Sequence, residues 1–312
     1  MKCHLSYYRL RFAQEHRSVR FGIWLAKKEE PSLIDLSRID YSALDRLEPI
    51  RYLFYPRPDY SPQRTESEHV LIPVEQDVAI DSAFYIWDNA APIILFFHGN
   101  GEIVSDYDQV SELYARAGLN FIIADYRGYG RSTGTPSITG MMRDCHTIYE
   151  FVRSRLRDKG CSGPFIVMGR SLGSASALEI LAGHGDTVDG LIIESGFAQT
   201  QTLLDLIGIK MKNVNLTEED GFRNLDKIRT FGKPTLIIHA EHDHLLPFSE
   251  GQLLYESSPA QEKKLLKIAG ADHNDILERD TESYMKAIRS LADLTVSRSH
   301  EDHPEGNGSC PE

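Results

Sequence analysis

Short apolar runs alternate with longer amphipathic stretches from about residue 65 to about residue 290, and glycine-bearing or polar loops separate them. Five runs, 93–97, 121–124, 165–168, 191–193 and 235–239, are apolar at nearly every position. That is the pattern of strands buried on both faces of a parallel sheet. The lengths between them suit crossover helices, so the repeat predicts an α/β fold with a mostly parallel central sheet flanked by helices. Upstream, 69–74 and 78–87 read as an antiparallel lead-in, and 264–268 as a last strand. Pro56, Pro58 and Pro62 mark a loop entering the core. Leu33, Ile34, Leu36, Ile39, Leu44 and Leu47 recur at roughly helical spacing before it. Beyond Val296 the chain has too little apolar surface to fold. The organisation expected is an accessory segment at 1–64, one α/β domain at 65–296 and a disordered tail at 297–312.

Composition narrows the partners. Of 312 residues, 41 % are hydrophobic and 26 % charged, ordinary for a globular chain with a sizeable core. Thirty-four basic and 46 acidic residues give 34 − 46 = −12, a field that repels nucleic acid, so no nucleic-acid partner is expected. Arg9, Arg11, Arg17, Arg20, Lys27 and Lys28 form a local basic run, read as a solvated face. Cys3, Cys145, Cys161 and Cys310 are scattered, without the close pairs of a zinc cage, and read as free thiols. No apolar stretch reaches the roughly 18 residues of a spanning helix, and charged residues interrupt every candidate leader. A cytoplasmic chain without a transmembrane segment is expected.

The sharpest local signal is Gly169-Arg170-Ser171-Leu172-Gly173, preceded by the 165–168 strand and followed by a small-residue helix start. This is a nucleophile elbow in its strand–turn–helix setting: the glycines permit a tight turn, and the serine sits at a helix N-terminus where developing negative charge is favoured. A serine hydroxyl needs a base, and in this setting the chain order is serine, acid, histidine. Asp243 falls in the loop after the 235–239 strand, and His273 just past the last strand. Asp243 is expected to hold His273 in the tautomer that accepts the Ser171 proton. Glu194, Glu241, Asp272 and Asp275 compete for the acid's place. An oxyanion hole requires backbone donors aimed at the tetrahedral oxygen. Leu172, the residue after the nucleophile, supplies one; Asn100, in the His98-Gly99-Asn100-Gly101 turn after the 93–97 strand, supplies the other, with Gly101 in reserve. His98 is read as structural.

Four motifs in order, Ile94-Leu-Phe-Phe-His-Gly-Asn-Gly101, Asp125-Tyr-Arg-Gly-Tyr-Gly-Arg-Ser132, Gly169-Arg-Ser-Leu-Gly173 and Asp272-His-Asn-Asp275, resemble those of the α/β-hydrolase-domain serine hydrolases, a group that includes depalmitoylating thioesterases. The resemblance covers about residues 65 to 290. It implies the α/β-hydrolase fold, a Ser171–Asp243–His273 triad, and a loop-fixing role for Asp125 and Arg127. Two departures stand out. Asp272 occupies a position where the family commonly has glycine, and the cysteine-rich N-terminus of the membrane-bound depalmitoylating members is absent.

Acyl transfer on Ser171 is thus the expected chemistry, with a small or lipid-like ester or thioester as substrate and no cofactor or metal. The alternatives are a non-catalytic hydrolase-like binding protein and a serine peptidase or amidase. His239, His242, Asp243 and His244 cluster in one loop, but no further ligand set completes a zinc site. Between 200 and 215, Leu203, Leu204, Leu206, Ile207, Ile209 and Met211 make an apolar segment that reads either as a short lid or as a core-packing helix.

Overall fold

The computed structural model describes residues 35–61 and 67–302. The basic run, Cys3, Leu33, Ile34 and Cys310 lie outside them. Eight strands form one sheet: β1 (Glu68–Glu75), β2 (Val78–Tyr85), β3 (Ile93–Phe97), β4 (Asn120–Ala124), β5 (Phe165–Arg170), β6 (Gly190–Glu194), β7 (Thr235–Ala240) and β8 (Lys263–Ile268). Their order is β1-β2-β4-β3-β5-β6-β7-β8. The β1–β2 and β2–β4 pairs are antiparallel and all others parallel, so the expected lead-in and parallel sheet are both present.

The near-continuous apolar runs have a simple cause. With side chains alternating across the sheet, Ile93, Leu95 and Phe97 enter the core on one face, while Ile94 and Phe96 enter the core on the other. The helices Ile138–Asp158 and Gly173–His184 cover the first face; Ser111–Arg116 and Thr281–Asp302 cover the second. Strand β2 stops at Tyr85, two residues before the expected end, because the Asn120 side-chain oxygen accepts from the Trp87 and Asp88 amides in place of a ladder partner.

The ends of the domain differ from the sequence reading. Tyr41, Leu44, Ile50, Leu53 and Phe54, expected in an accessory segment, are buried in the main core. Tyr41 is tied down by charge as well: its hydroxyl donates to Glu179 at 2.6 Å and accepts from the buried Lys227 at 2.9 Å. At the other end the last helix runs to Asp302, past the expected boundary at 296. A buried Thr295 and an Arg298–Glu262 ion pair at 3.0 Å hold that stretch against the body of the fold.

The apolar segment at 200–215 packs inward. Leu203, Leu204, Ile209 and Met211 are buried in the main core, and only Leu206 and Val214 remain largely exposed. Two side chains stitch the segment: Gln201 donates to Ile209 O and accepts from the Met211 amide, and Glu218 accepts from the Thr200 and Gln201 amides.

Candidate active site

The sheet turns its connections in opposite directions after β3 and β5, and crevices form at the carboxyl ends of strands where the order reverses. Strand β3 runs into the turn His98–Gly101, β5 into Ser171, β7 into the Asp243 loop and β8 into the His273 loop. Four different strands therefore deliver Asn100, Ser171 with Leu172, Asp243 and His273 to one edge of the sheet.

Ser171 sits in the left-handed region at φ 50°, a strained position for a residue with a side chain, of order 1–3 kcal/mol. The strain is held in place by its neighbours. Its amide donates to Glu194 O at 2.9 Å, and its carbonyl accepts from the Ser174 hydroxyl at 2.6 Å. The flanking glycines are required by steric exclusion. A Cβ on Gly169 would collide with the Gly173 carbonyl, and a Cβ on Gly173 with the carbonyls of Phe97 and His98. The elbow is thus wedged against the very strand that leads into the His98–Gly101 turn.

The three distant residues meet. Ser171 Oγ lies 2.9 Å from His273 Nε2, and His273 Nδ1 lies 2.8 Å from Asp243 Oδ2. A carboxylate accepts only, so Nδ1 carries the proton and Nε2 presents its lone pair to the serine hydroxyl. The other Asp243 oxygen accepts from the Leu245 and Leu246 amides. Burial pushes the Asp243 carboxyl up, but the hydrogen bond and charge of His273 and the Leu246 amide outweigh it and hold the group below its ordinary value. All three residues are buried, His273 at 3 % exposure and Ser171 at 9 %.

The residues that competed for the acid's place are engaged elsewhere. Glu241 pairs with Lys267 and the Gly270 amide. Asp275 pairs with Arg279 and the Asp272 amide. Asp272, the departure from the family pattern, accepts from the Asn274 amide and faces solvent. The histidines of the Asp243 loop diverge: His242 and His244 are exposed, whereas His239 is buried and donates from Nε2 to Leu246 O at 2.8 Å. Among the described residues, no group of three or more His, Cys, Asp and Glu is arranged to hold a metal ion.

Of the two expected oxyanion donors, Leu172 opens the helix Gly173–His184. The Asn100 side chain is a clamp: Oδ1 accepts from the Tyr55 amide at 2.8 Å and the Tyr129 hydroxyl at 2.6 Å, and Nδ2 donates to Leu53 O at 2.7 Å. His98 is buried between Gly99 O and Asp125 Oδ1. Arg127 forks onto Asp144 through Nε and Nη2 and reaches Glu75 through Nη1. Asp125 and Arg127 fix loops, as the motif resemblance implied.

Sequence reasoning missed a charged cluster directly behind these loops. Arg170 donates to Glu194 at 3.1 Å, to Glu102, and to the His273 carbonyl at 2.8 Å. Burial pushes the Glu102 carboxyl up, but Arg170 and further partners bring it below its ordinary value, while burial prevails at Glu194 and raises it. The available signal was an arginine at the variable position of the elbow and an acid three residues after Gly99.

An eight-stranded, mostly parallel sheet with an elbow serine after β5 and a histidine after the last strand defines the α/β-hydrolase fold. The family model for serine aminopeptidase S33 matches residues 88–218. Protein bem46 of Schizosaccharomyces pombe is 28 % identical over 219 residues, covering 67 % of this chain and 72 % of that protein. Lysophosphatidylserine lipase ABHD12 of Danio rerio is 30 % identical over 196 residues, covering 57 % of this chain and 50 % of the relative, so the match spans about half the length of that lipase. Among solved structures, the Pyrococcus furiosus esterase Pf2001 superposes with a TM-score of 0.61 at 17 % identity, covering 77 % of this chain and 98 % of its own. Est1E of Butyrivibrio proteoclasticus superposes at 0.60, also at 17 % identity, covering 73 % of this chain and 99 % of its own. The chain has the α/β-hydrolase fold and is similar in sequence to α/β-hydrolase-domain proteins.

Proposed function

We propose that this protein cleaves a carboxylic ester or thioester through an acyl-enzyme on Ser171. The observation that carries the reading is the continuous hydrogen-bond chain Ser171 Oγ–His273 Nε2 and His273 Nδ1–Asp243 Oδ2, at 2.9 and 2.8 Å. His273 takes the hydroxyl proton as Ser171 attacks the acyl carbon, and Asp243 stabilises the resulting imidazolium. The backbone N–H groups of Leu172 and Asn100 receive the oxyanion, a contribution of about 3 kcal/mol per donor. The imidazolium then protonates the departing alcohol or thiol, and water activated by His273 releases the acid. No step requires a cofactor. The names of the relatives, a lysophosphatidylserine lipase and several esterases, favour a lipid-like or small acyl substrate.

A second reading, an amide or peptide bond as substrate, is favoured only by the description of the matching family model. The test is labelling of purified protein with a fluorophosphonate, mapping of the adduct by mass spectrometry and Ser171→Ala as control, followed by p-nitrophenyl esters, acyl thioesters and p-nitroanilides of graded chain length. A Ser171 adduct with ester or thioester turnover supports the proposal, and a Ser171 adduct with turnover of anilides alone supports the second reading. Folded protein that takes no label overturns both and leaves a binding protein.

A further inference from the structure

Arg170 stands where four parts of the site meet. Its backbone immediately precedes Ser171. Its guanidinium donates from Nε to Glu194 Oε1 at 3.1 Å, from Nη1 to Glu102 Oε1, and from Nη2 to the backbone carbonyl of His273 at 2.8 Å. The acceptors extend the chain in both directions. The second oxygen of Glu102 accepts from the Gly99 amide and the Tyr107 hydroxyl, each at 2.7 Å, so it grips the peptide next to Asn100. The second oxygen of Glu194 accepts from the Tyr284 hydroxyl at 2.6 Å, and the Glu194 carbonyl accepts from the Ser171 amide. Fit is tight enough that a Cβ on Gly99 would strike the Arg170 guanidinium.

We propose that Arg170 is a positioning residue that locks the oxyanion turn and the histidine loop to the nucleophile elbow, so that donor, base and nucleophile keep one mutual geometry. The proposal rests on the acyl-enzyme reading of Ser171. A planar fork with five N–H donors can serve three acceptors in different directions at once, which a lysine ammonium on a flexible stem cannot. The His273 carbonyl belongs to the base itself, and the Gly99 amide lies one residue from the proposed oxyanion donor. Loss of the fork therefore lets both ends of the reacting geometry drift, and a shift of about 1 Å costs on the order of 100-fold in rate. These contacts join protein groups that hold the base and the turn in place, so the loss is expected in kcat.

A cavity of about 170 Å³ lined by Glu102, Arg170, Glu194, Asn274 and Tyr284, among others, opens beside the guanidinium. Truncation of Arg170 enlarges it and gives a free guanidinium ion a route to the two carboxylates. This permits a test that separates positioning from bulk stability. Fluorophosphonate acylation rates and ester kinetics are measured for wild type, Arg170→Lys, Arg170→Ala, Glu102→Gln and the Arg170→Lys/Glu102→Gln double variant, below the unfolding temperature of each. The expected result is a fall in kcat of about 100-fold for Arg170→Lys and Arg170→Ala, with KM within about threefold. Millimolar guanidinium chloride restores about tenfold to Arg170→Ala and nothing to Arg170→Lys. Glu102→Gln, at a less buried position, folds normally, loses about tenfold, and is non-additive with Arg170→Lys. Acylation of both Arg170→Lys and Glu102→Gln within about twofold of wild type overturns the proposal, as does full additivity of the two. A wild-type protein that is never labelled at Ser171 overturns the acyl-enzyme reading instead.

Discussion

Replacing Asn100 tests whether its side chain, and not only its backbone N–H, builds the site. The Asn100→Ala change removes the acceptor of the Tyr129 hydroxyl and the donor to Leu53 O, and one of two acceptors of the Tyr55 amide, which also reaches Tyr129 Oη at 2.8 Å. The Tyr129 and Leu53 groups lie on buried residues. Each unsatisfied buried group costs about 1–3 kcal/mol. Because the outer face of Asn100 is open to water, the low end applies, and the sum is about 2–3 kcal/mol. For a domain of this size 1 kcal/mol moves Tm by about 2–4 °C, so a fall of about 4–12 °C is expected by calorimetry. The Gly99 amide is still held by Glu102, so the turn loosens without losing its donor. Acylation by a fluorophosphonate should slow by about 10- to 100-fold, short of the 100- to 1,000-fold that accompanies outright loss of an oxyanion donor. Asn100→Asp keeps the acceptor for Tyr55 and Tyr129 but turns an oxygen toward Leu53 O, and should fall between wild type and Asn100→Ala in Tm. A Tm within about 1 °C of wild type for Asn100→Ala would refute the reasoning.

Three further outcomes follow from packing and charge. Lys227 is fully buried and pairs with Glu179 at 2.5 Å; Lys227→Met strands a buried carboxylate and should cost about 3–5 kcal/mol in urea unfolding, most of which Glu179→Leu in the same chain recovers. Gly173→Ala drives a methyl into the Phe97 and His98 carbonyls; it should abolish Ser171 labelling and lower stability by about 1–3 kcal/mol or more, whereas Gly232→Ala, which meets nothing, should leave labelling unchanged. Burial lowers the His239 pKa below the ordinary imidazole value, so the unfolded chain binds a proton below about pH 6.5 that the folded chain refuses. Stability should accordingly fall as pH drops from about 7 to 5, with a shallower slope for His239→Gln, read from Tm against pH.

The strands were legible in the sequence because burial on two faces leaves near-continuous apolar runs, and such runs are local. So was the elbow: the Cβ exclusion at Gly169 and Gly173 demands glycine whatever the rest of the chain does, and the order of serine, acid and histidine follows from which strand ends lie on one edge of the sheet. Tertiary structure decided what depends on loops converging from distant parts of the chain. Asp243 faces His273 across 30 residues while Glu241, two positions away, turns to Lys267; nothing in a five-residue loop fixes that direction. The Asn100 clamp joins positions 45 to 47 residues apart, and Arg170 reaches the His273 carbonyl across 103. The segment at 200–215 was equally apolar as lid or as core. Which of the two it became was set by the space beside the core that Leu203, Leu204, Ile209 and Met211 fill, a volume that exists only once the sheet and its helices have assembled.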